Sequence, residues 1–190
     1  MVRLDRITTR GGDSGETSLA DGSRVSKAAQ RIEAIGAVDE ANAAIGLLRL
    51  HTQDHMAVDE ALGRIQNDLF DLGADIATPL KPNEATGSAL RIVPGQLARL
   101  EAEVAGFNTG LAPLRSFVLP GGTEAASFAH LARTAARRAE RTVAVLASAE
   151  PLNPDALKYL NRLSDLLFVL GRVLNEAGVR DVLWTPGANR

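Results

Sequence analysis

The chain contains no cysteine. That single absence removes disulfides, thiolate zinc sites, iron–sulfur ligation and a cysteine nucleophile, and it suits a reducing compartment. Aromatic side chains are scarce at 4%, with one Trp and one Tyr, so the stacking platforms of a single-strand nucleic-acid binder are missing. No stretch approaches the ~18 apolar residues of a membrane span. The opening MVRLDRITTRGGDSGE also lacks the apolar run of about 7–15 residues that marks an export signal. The expected location is the cytoplasm, with no membrane partner. Lysine is rare too: Lys27, Lys81 and Lys158 are the only three among 21 cations, and the rest are arginine. The formal net charge of −2 argues against a dedicated nucleic-acid partner.

Against these absences, 190 residues with 45% hydrophobic and 23% charged content supply enough material for one ordinary globular core. Residues 1–25 show neither helical nor strand periodicity in TTRGGDSGETSLADGSR, and read as a loop ordered by itself or by a ligand. From Ser26 to about Leu50, Ile35, Val38 and Ile45 recur at helical spacing. A second helix is expected from an Asp54 N-cap through Met56, Leu62, Ile65, Leu69 and Leu72 to Ile76, stopped by Pro79. Pro94 suits the first turn of a third helix carrying Leu97, Leu100 and Val104 and ending near Gly106 and Asn108. Thr123 caps a fourth helix running to about Ser148. Asn153-Pro154-Asp155 then opens a fifth, whose Leu160, Leu163, Leu167, Leu170 and Leu174 form a packing seam before Gly178. No strand pattern competes. The fold class is therefore all-α, a five-helix antiparallel bundle preceded by an N-terminal loop. The expected organisation is one unit: the loop at 1–25, the bundle at 26–178 and a C-terminal tail at 179–190, with Trp184 in terminal packing or disorder. The connection TGLAPLRSFVLPGG is unusually greasy for a loop, and is expected to dock somewhere.

The charge is unevenly placed. At 100° per residue, His130, Arg133, Arg137 and Arg141 fall within roughly 80° of one another on the fourth helix, with Leu131, Ala135 and Val145 facing the other way. Four arginines less Glu140 give residues 130–141 a charge of +3, so an anion is expected opposite. On the fifth helix Asn161, Asp165, Phe168 and Arg172 share a polar face within roughly 60°, and Asp165 is a natural arginine partner. GGDSGETS is not a Walker motif, because Gly11 and Gly15 have three residues between them and Glu16 follows. The amides of Gly11, Gly12 and Gly15 can still make an anion nest, assisted by the hydroxyls of Thr9, Thr17 and Ser18 and by Lys27. The bland alternatives are a solvated charged face and a flexible loop. His51 and His55 are spaced i, i+4 but lack a third ligand, and no E-x-x-H occurs, so no protein-held metal is expected.

Taken in order, TTRGGDSGETSLADGSRVSK, GAVDEANAAIG, FVLPGG followed by ARTAARRAER, and YLNRLSDLLFVLGRVLN resemble the PduO-type ATP:cob(I)alamin adenosyltransferases across nearly the entire chain. The resemblance implies a homotrimer with active sites between subunits. There the 5′-deoxyadenosyl group of ATP passes to the cobalt of cob(I)alamin, giving adenosylcobalamin and triphosphate, with Mg²⁺ assisting. It implies that Thr9, Arg10, Gly11, Gly12, Thr17, Ser18 and Lys27 wrap ATP. Gly11 stands where the family usually has a hydroxyl residue, which bears on the phosphate contacts more than on the activity. By the same resemblance Arg141 contacts triphosphate, Arg137 pairs across the subunit boundary with Asp39, and Arg138 belongs to the same arginine segment. Asn161 contacts ATP, Asp165 supports the arginines, and Phe117 lies at the corrin side, where an apolar wall displaces the lower axial ligand. A reductase and an adenosylcobalamin-dependent client enzyme are the implied protein partners. Two rival readings remain at this point: a non-catalytic ATP/cobalamin-binding sensor or carrier, and a helical RNA-binding module.

Overall fold

The computed structural model describes residues 7–190, so the first six residues of the expected nucleotide loop lie outside the described part. Five helices carry the architecture: α1 (Gln30–Arg49), α2 (Met56–Ala77), α3 (Pro94–Asn108), α4 (Glu124–Ala149) and α5 (Pro154–Leu174). Side-chain bonds fix their directions. Arg49 meets Asp59 and Asn42 meets Gln66, so α1 and α2 are antiparallel. Gln30 reaches the Thr142 carbonyl while His51 stacks on Phe128, so α4 runs against α1. Asn161 bonds Glu140, and His130 lies against Gly171, which sets α5 antiparallel to α4. Asn153 reaches the Ile92 carbonyl and Arg162 reaches Glu101, so α3 and α5 lie side by side in the same direction. Consecutive helices alternate, and the long connection 109–123 carries the chain from α3 to α4.

The helix starts follow local chemistry. The Thr123 side chain accepts from the Ala126 N–H, and the Asn153 side chain accepts from the Asp155 N–H, each satisfying an otherwise orphaned donor. Pro94 and Pro154 occupy first-turn positions, where the missing N–H costs nothing. The seam Leu160, Leu163, Leu167, Leu170 and Leu174 is buried, facing a run of alanines on α4 from Ala125 to Ala139 that lets the helices approach closely. Polar groups inside the bundle are paired. Asp68 accepts from Tyr159 (2.8 Å), Gln96 (2.9 Å) and Arg99, which ties α2 to α3 and α5. Burial first, and the Asp68 charge second, push the Tyr159 phenol well above its ordinary range, so it stays a donor.

Several expectations are corrected. Helix α1 begins at Gln30 rather than Ser26, and α2 has His55, not Asp54, at its N-cap. Two small antiparallel pairs exist where no strand was expected: β1 (Glu16–Ser18) with β2 (Arg24–Ser26), and β3 (Val118–Leu119) with β4 (Val182–Leu183). Strands of two or three residues carry too few side chains for a period to show. Arg172 does not share a solvated polar face; it is buried and pairs with Asp181 at 2.8 Å. Asp165 is exposed and has no arginine partner among the described residues. The tail is ordered by backbone pairing rather than burial: the Trp184 N–H donates to the Phe117 carbonyl at 2.8 Å, while residues 182–190 stay exposed.

Candidate active site

Helix α4 presents the arginine stripe. Its buried face is built from alanines, Val143 and Leu146, so the long cations must point elsewhere. Arg137 and Arg141 are exposed, and Arg141 donates only to the Arg137 carbonyl at 3.1 Å. Arg133 lies half-buried. Burial first, and the neighbouring Arg137 charge second, hold its guanidinium below the usual arginine range. Its Nε donates to His130 Nδ1 at 3.4 Å, and burial followed by Arg133 likewise holds that imidazole below its ordinary value. His130 Nε2 has no hydrogen-bond partner among the described residues. Arg138, in the same segment but off the stripe, is engaged within the chain instead, pairing with Glu40 on α1. The remaining arginines thus repel one another without a carboxylate partner among the described residues, the electrostatic condition of an anion site.

A cavity of about 540 Å³ adjoins Arg133. Leu114, Ser116, Phe117 and Val118 from the 109–123 connection, with Arg133 and Phe168, line it. The greasy connection is therefore not buried in the core: Phe117 is 75% exposed, and its ring tilts against that of Trp184 at 5.9 Å between centroids. Sequence reasoning placed Arg133 on the stripe but did not single it out, and left Phe168 unassigned. The signal available was their joint position near the FVLPGG segment, which only the packing of α4 on α5 brings about.

The N-terminal loop is ordered by its hairpin. Leu19 is buried, and the Ala20 N–H donates to the Ala77 carbonyl at 3.0 Å, which docks the hairpin on the end of α2. Lys27 closes the loop through its N–H to the Gly15 carbonyl at 2.8 Å. Its ammonium lies over Gly12, where an added Cβ would come within 2.8 Å of Nζ, so a larger residue there would push the flexible lysine end aside. Arg24, which sequence reasoning missed, donates to the Gly11 carbonyl (2.8 Å) and the Ser18 hydroxyl (3.3 Å). The N–H groups of Gly11 and Gly12 donate to no acceptor among the described residues. Thr17 lies in β1, and Arg10, at φ 61°, opens the preceding turn by accepting from the Asp13 N–H at 3.2 Å, with Thr9 just before it.

Within one chain these parts stay separate. No hydrogen bond or ion pair among the described residues joins the loop to Arg133, Arg137 or Arg141. Asp39 is exposed on α1 and lines a second cavity, of about 350 Å³, with Asn42, Leu69 and Phe70. Asn161 is engaged with Glu140 (3.0 Å) and accepts from Arg162 (2.8 Å).

The sequence profile of the family described as "Cobalamin adenosyltransferase" matches residues 7–174. The chain belongs to that family. Among cobalamin adenosyltransferase relatives, the corrinoid adenosyltransferase of Mycobacterium tuberculosis strain H37Rv is 48% identical over 191 residues, covering 100% of this chain and 97% of that protein. The cobalamin adenosyltransferase of Cupriavidus metallidurans is 51% identical over 183 residues, covering 96% and 95%. In three dimensions the chain is similar to a phenylalanine-to-histidine variant of the PduO-type ATP:corrinoid adenosyltransferase of Lactobacillus reuteri, solved with cobalamin and ATP. The TM-score is 0.87 at 33% identity, covering 95% and 97% of the two chains. Among the described residues, no helix is long and apolar enough to cross a membrane.

Proposed function

We propose that the protein transfers the 5′-deoxyadenosyl group of ATP to the cobalt of cob(I)alamin, releasing triphosphate. The observation that carries the reading is the union, on one face, of arginines lacking an anionic partner with an aromatic-walled cavity, in a chain of this family. Cobalt(I) donates an electron pair to the ribose C5′, the C5′–O bond breaks, and its pair leaves on triphosphate. The nucleophile is strong and the leaving group already anionic, so the protein's task is positioning and charge stabilisation. Arg133 to Arg141 span about 12 Å along α4, enough for a polyphosphate laid against successive turns. Arginine suits this because its planar fork binds phosphate in two places.

In this reading Arg141 and Arg137 face triphosphate, with Arg137 also within reach of a partner's acid, and Phe117 and Phe168 wall the corrin side. Thr9, Arg10, Gly11, Gly12, Thr17, Ser18 and Lys27 wrap the nucleotide, and Asn161 and Asp165 steady it. The separation of loop and stripe within a chain supports a homotrimer whose sites lie between subunits, with Asp39 meeting an arginine of its neighbour. Exposed Leu131, Val145, Phe70 and Leu47 supply apolar surface for such contacts. Sedimentation of the purified protein at three times the chain mass tests the assembly. The described residues hold no group of three or more His or acidic side chains that could cage a metal ion. Mg²⁺ would accompany the triphosphate and help stabilise its charge. The cytoplasm, with a reductase and a client enzyme as partners, completes the proposal.

The deciding experiment is anaerobic incubation with ATP and chemically reduced cobalamin, following the optical change on Co–C bond formation and assaying released triphosphate. Binding of both ligands without turnover would make the protein a carrier instead.

A further inference from the structure

Segment 113–120, which supplies Phe117 to the cavity, has little to hold it. Its rings are exposed, and the tail strand pairing with it buries little apolar surface, since Val182, Leu183 and Trp184 are 43%, 49% and 44% exposed. What grips the segment is a polar junction at the end of α5. Arg172 donates through Nε to Asp181 Oδ2 (2.8 Å) and through Nη2 to the Ala112 carbonyl (2.9 Å). Asn175, fully buried, accepts from the Thr123 N–H (2.8 Å) and donates to the Gly121 carbonyl (3.1 Å) and to Asp181 Oδ1 (3.2 Å). Gly122, at φ +99°, passes so close that any Cβ would overlap Asn175. Both ends of the segment are thus clamped to α5, and both oxygens of Asp181 close the clamp. From Asp181 the tail runs directly into β4, where the Ser116 hydroxyl donates to the Trp184 carbonyl (2.6 Å) and the Trp184 N–H to the Phe117 carbonyl (2.8 Å).

We propose that Asp181, acting through Arg172 and Asn175, is a positioning residue that sets segment 113–120 and its Phe117 against the corrinoid, an inference that rests on the corrin-side reading of the cavity. The Arg172 and Asp181 side chains are only 8% and 4% exposed. Replacing both members of such a buried pair by apolar groups is often nearly neutral, whereas removing Asp181 alone strands the Arg172 charge, so the guanidinium must move to find another partner or water. Phe168 lies one helical turn before Arg172 on α5, so the clamp and the opposite wall of the cavity share one rigid helix. Losing Asp181 frees the tail and one end of the strap without removing any core side chain.

The test compares wild type with Asp181→Ala and Asp181→Asn as full chains. Trp184, the single tryptophan, reports seating of the tail by its emission and its quenching by acrylamide. Expected for Asp181→Ala are a red-shifted, more quenchable emission and unchanged helical circular dichroism. Its KM for cob(I)alamin should rise about 10–100-fold, the scale for a wall displaced by roughly 1 Å. KM for ATP should stay within about twofold. Asp181→Asn, which keeps one accepting oxygen, should fall between. Unchanged corrinoid kinetics despite moved emission would overturn the inference, as would lost helicity or equal rises in both KM values, which mark a stability role. Wild type that does not adenosylate cob(I)alamin removes the functional reading instead. In that case cobalamin binding, read by quenching of Trp184, decides whether Asp181 still tightens the site.

Discussion

Truncating Phe117 separates corrinoid handling from stability. The ring is 75% exposed, so roughly a quarter of it is covered in the isolated chain. Full burial of a Phe side chain stabilises by about 1.5–3 kcal/mol, so that quarter contributes about 0.4–0.8 kcal/mol. The tilted contact with Trp184, with rings 55° apart, adds a few tenths more at so exposed a site. Phe117→Ala should therefore cost about 1 kcal/mol, or roughly 2–4 °C in Tm for a chain of this size. The Trp184 N–H to Phe117 carbonyl bond is a backbone bond and survives the substitution. Catalysis should respond very differently. If a corrinoid covers the ring completely, its removal costs about 3 kcal/mol or more, a hundredfold or greater fall in kcat/KM for cob(I)alamin. ATP affinity should be spared. Scanning calorimetry, ATP titration and anaerobic adenosylation measure the three quantities on one preparation. A fall in Tm beyond about 10 °C with turnover intact would refute the reasoning, because it would mean that the ring is a core residue. A collapse of ATP affinity with corrinoid turnover preserved would place the connection at the wrong substrate.

Arg141→Ala should leave Tm unchanged or slightly raised, since it removes one cation from a self-repelling stripe. It should weaken ATP use by about 2–5 kcal/mol in transition-state terms, and near-normal kinetics would end that assignment. Asn153→Ala removes the α5 cap and two bonds, to Asp75 Oδ2 (2.7 Å) and the Ile92 carbonyl (2.8 Å). The cost should be about 2–4 kcal/mol in urea unfolding, and a loss below about 1 kcal/mol would show the junction to be redundant. Asn153→Asp keeps the cap oxygen but sets a second carboxylate against Asp75, and should rescue little. His130 is held below its ordinary pKa, chiefly by burial and then by Arg133. Its unfolded form therefore gains a proton that the folded form refuses. The associated stability is complete above about pH 6.5 and is lost as pH falls below it. The urea midpoint should drop between pH 7.5 and 5.5 by less in His130→Asn than in wild type, and equal drops would contradict the assignment.

Helices announce themselves through neighbours along the chain, which is why α3, α4 and α5 are legible in the order of residues alone. Pro94, Thr123 and Asn153 act on amides two or three residues away, and the leucine seam of α5 repeats within one element. The arginine stripe is legible for the same reason. Arg172 is the instructive failure. Its helical position groups it with Asn161 and Asp165, yet its guanidinium is claimed by Asp181 and by the Ala112 carbonyl, 60 residues away along the chain. Leu131 and Val145 mislead in the opposite sense: they lie opposite the stripe, yet each is about half exposed, because alanines form the packing face of α4.

From composition, caps and periodicity alone follow five helices and an anion-seeking ridge on the fourth, because each is written in residues a few positions apart; the family resemblance rests separately on four ordered segments. Tertiary structure alone decides that the FVLPGG segment and the tail form a two-stranded strap, that Arg133 and Phe168 meet it at a cavity, and that Asp181 holds both ends together. Those contacts join different elements, as far apart along the chain as Ser116 and Trp184 at 68 residues, and burial and charge, rather than local backbone preference, select the partner.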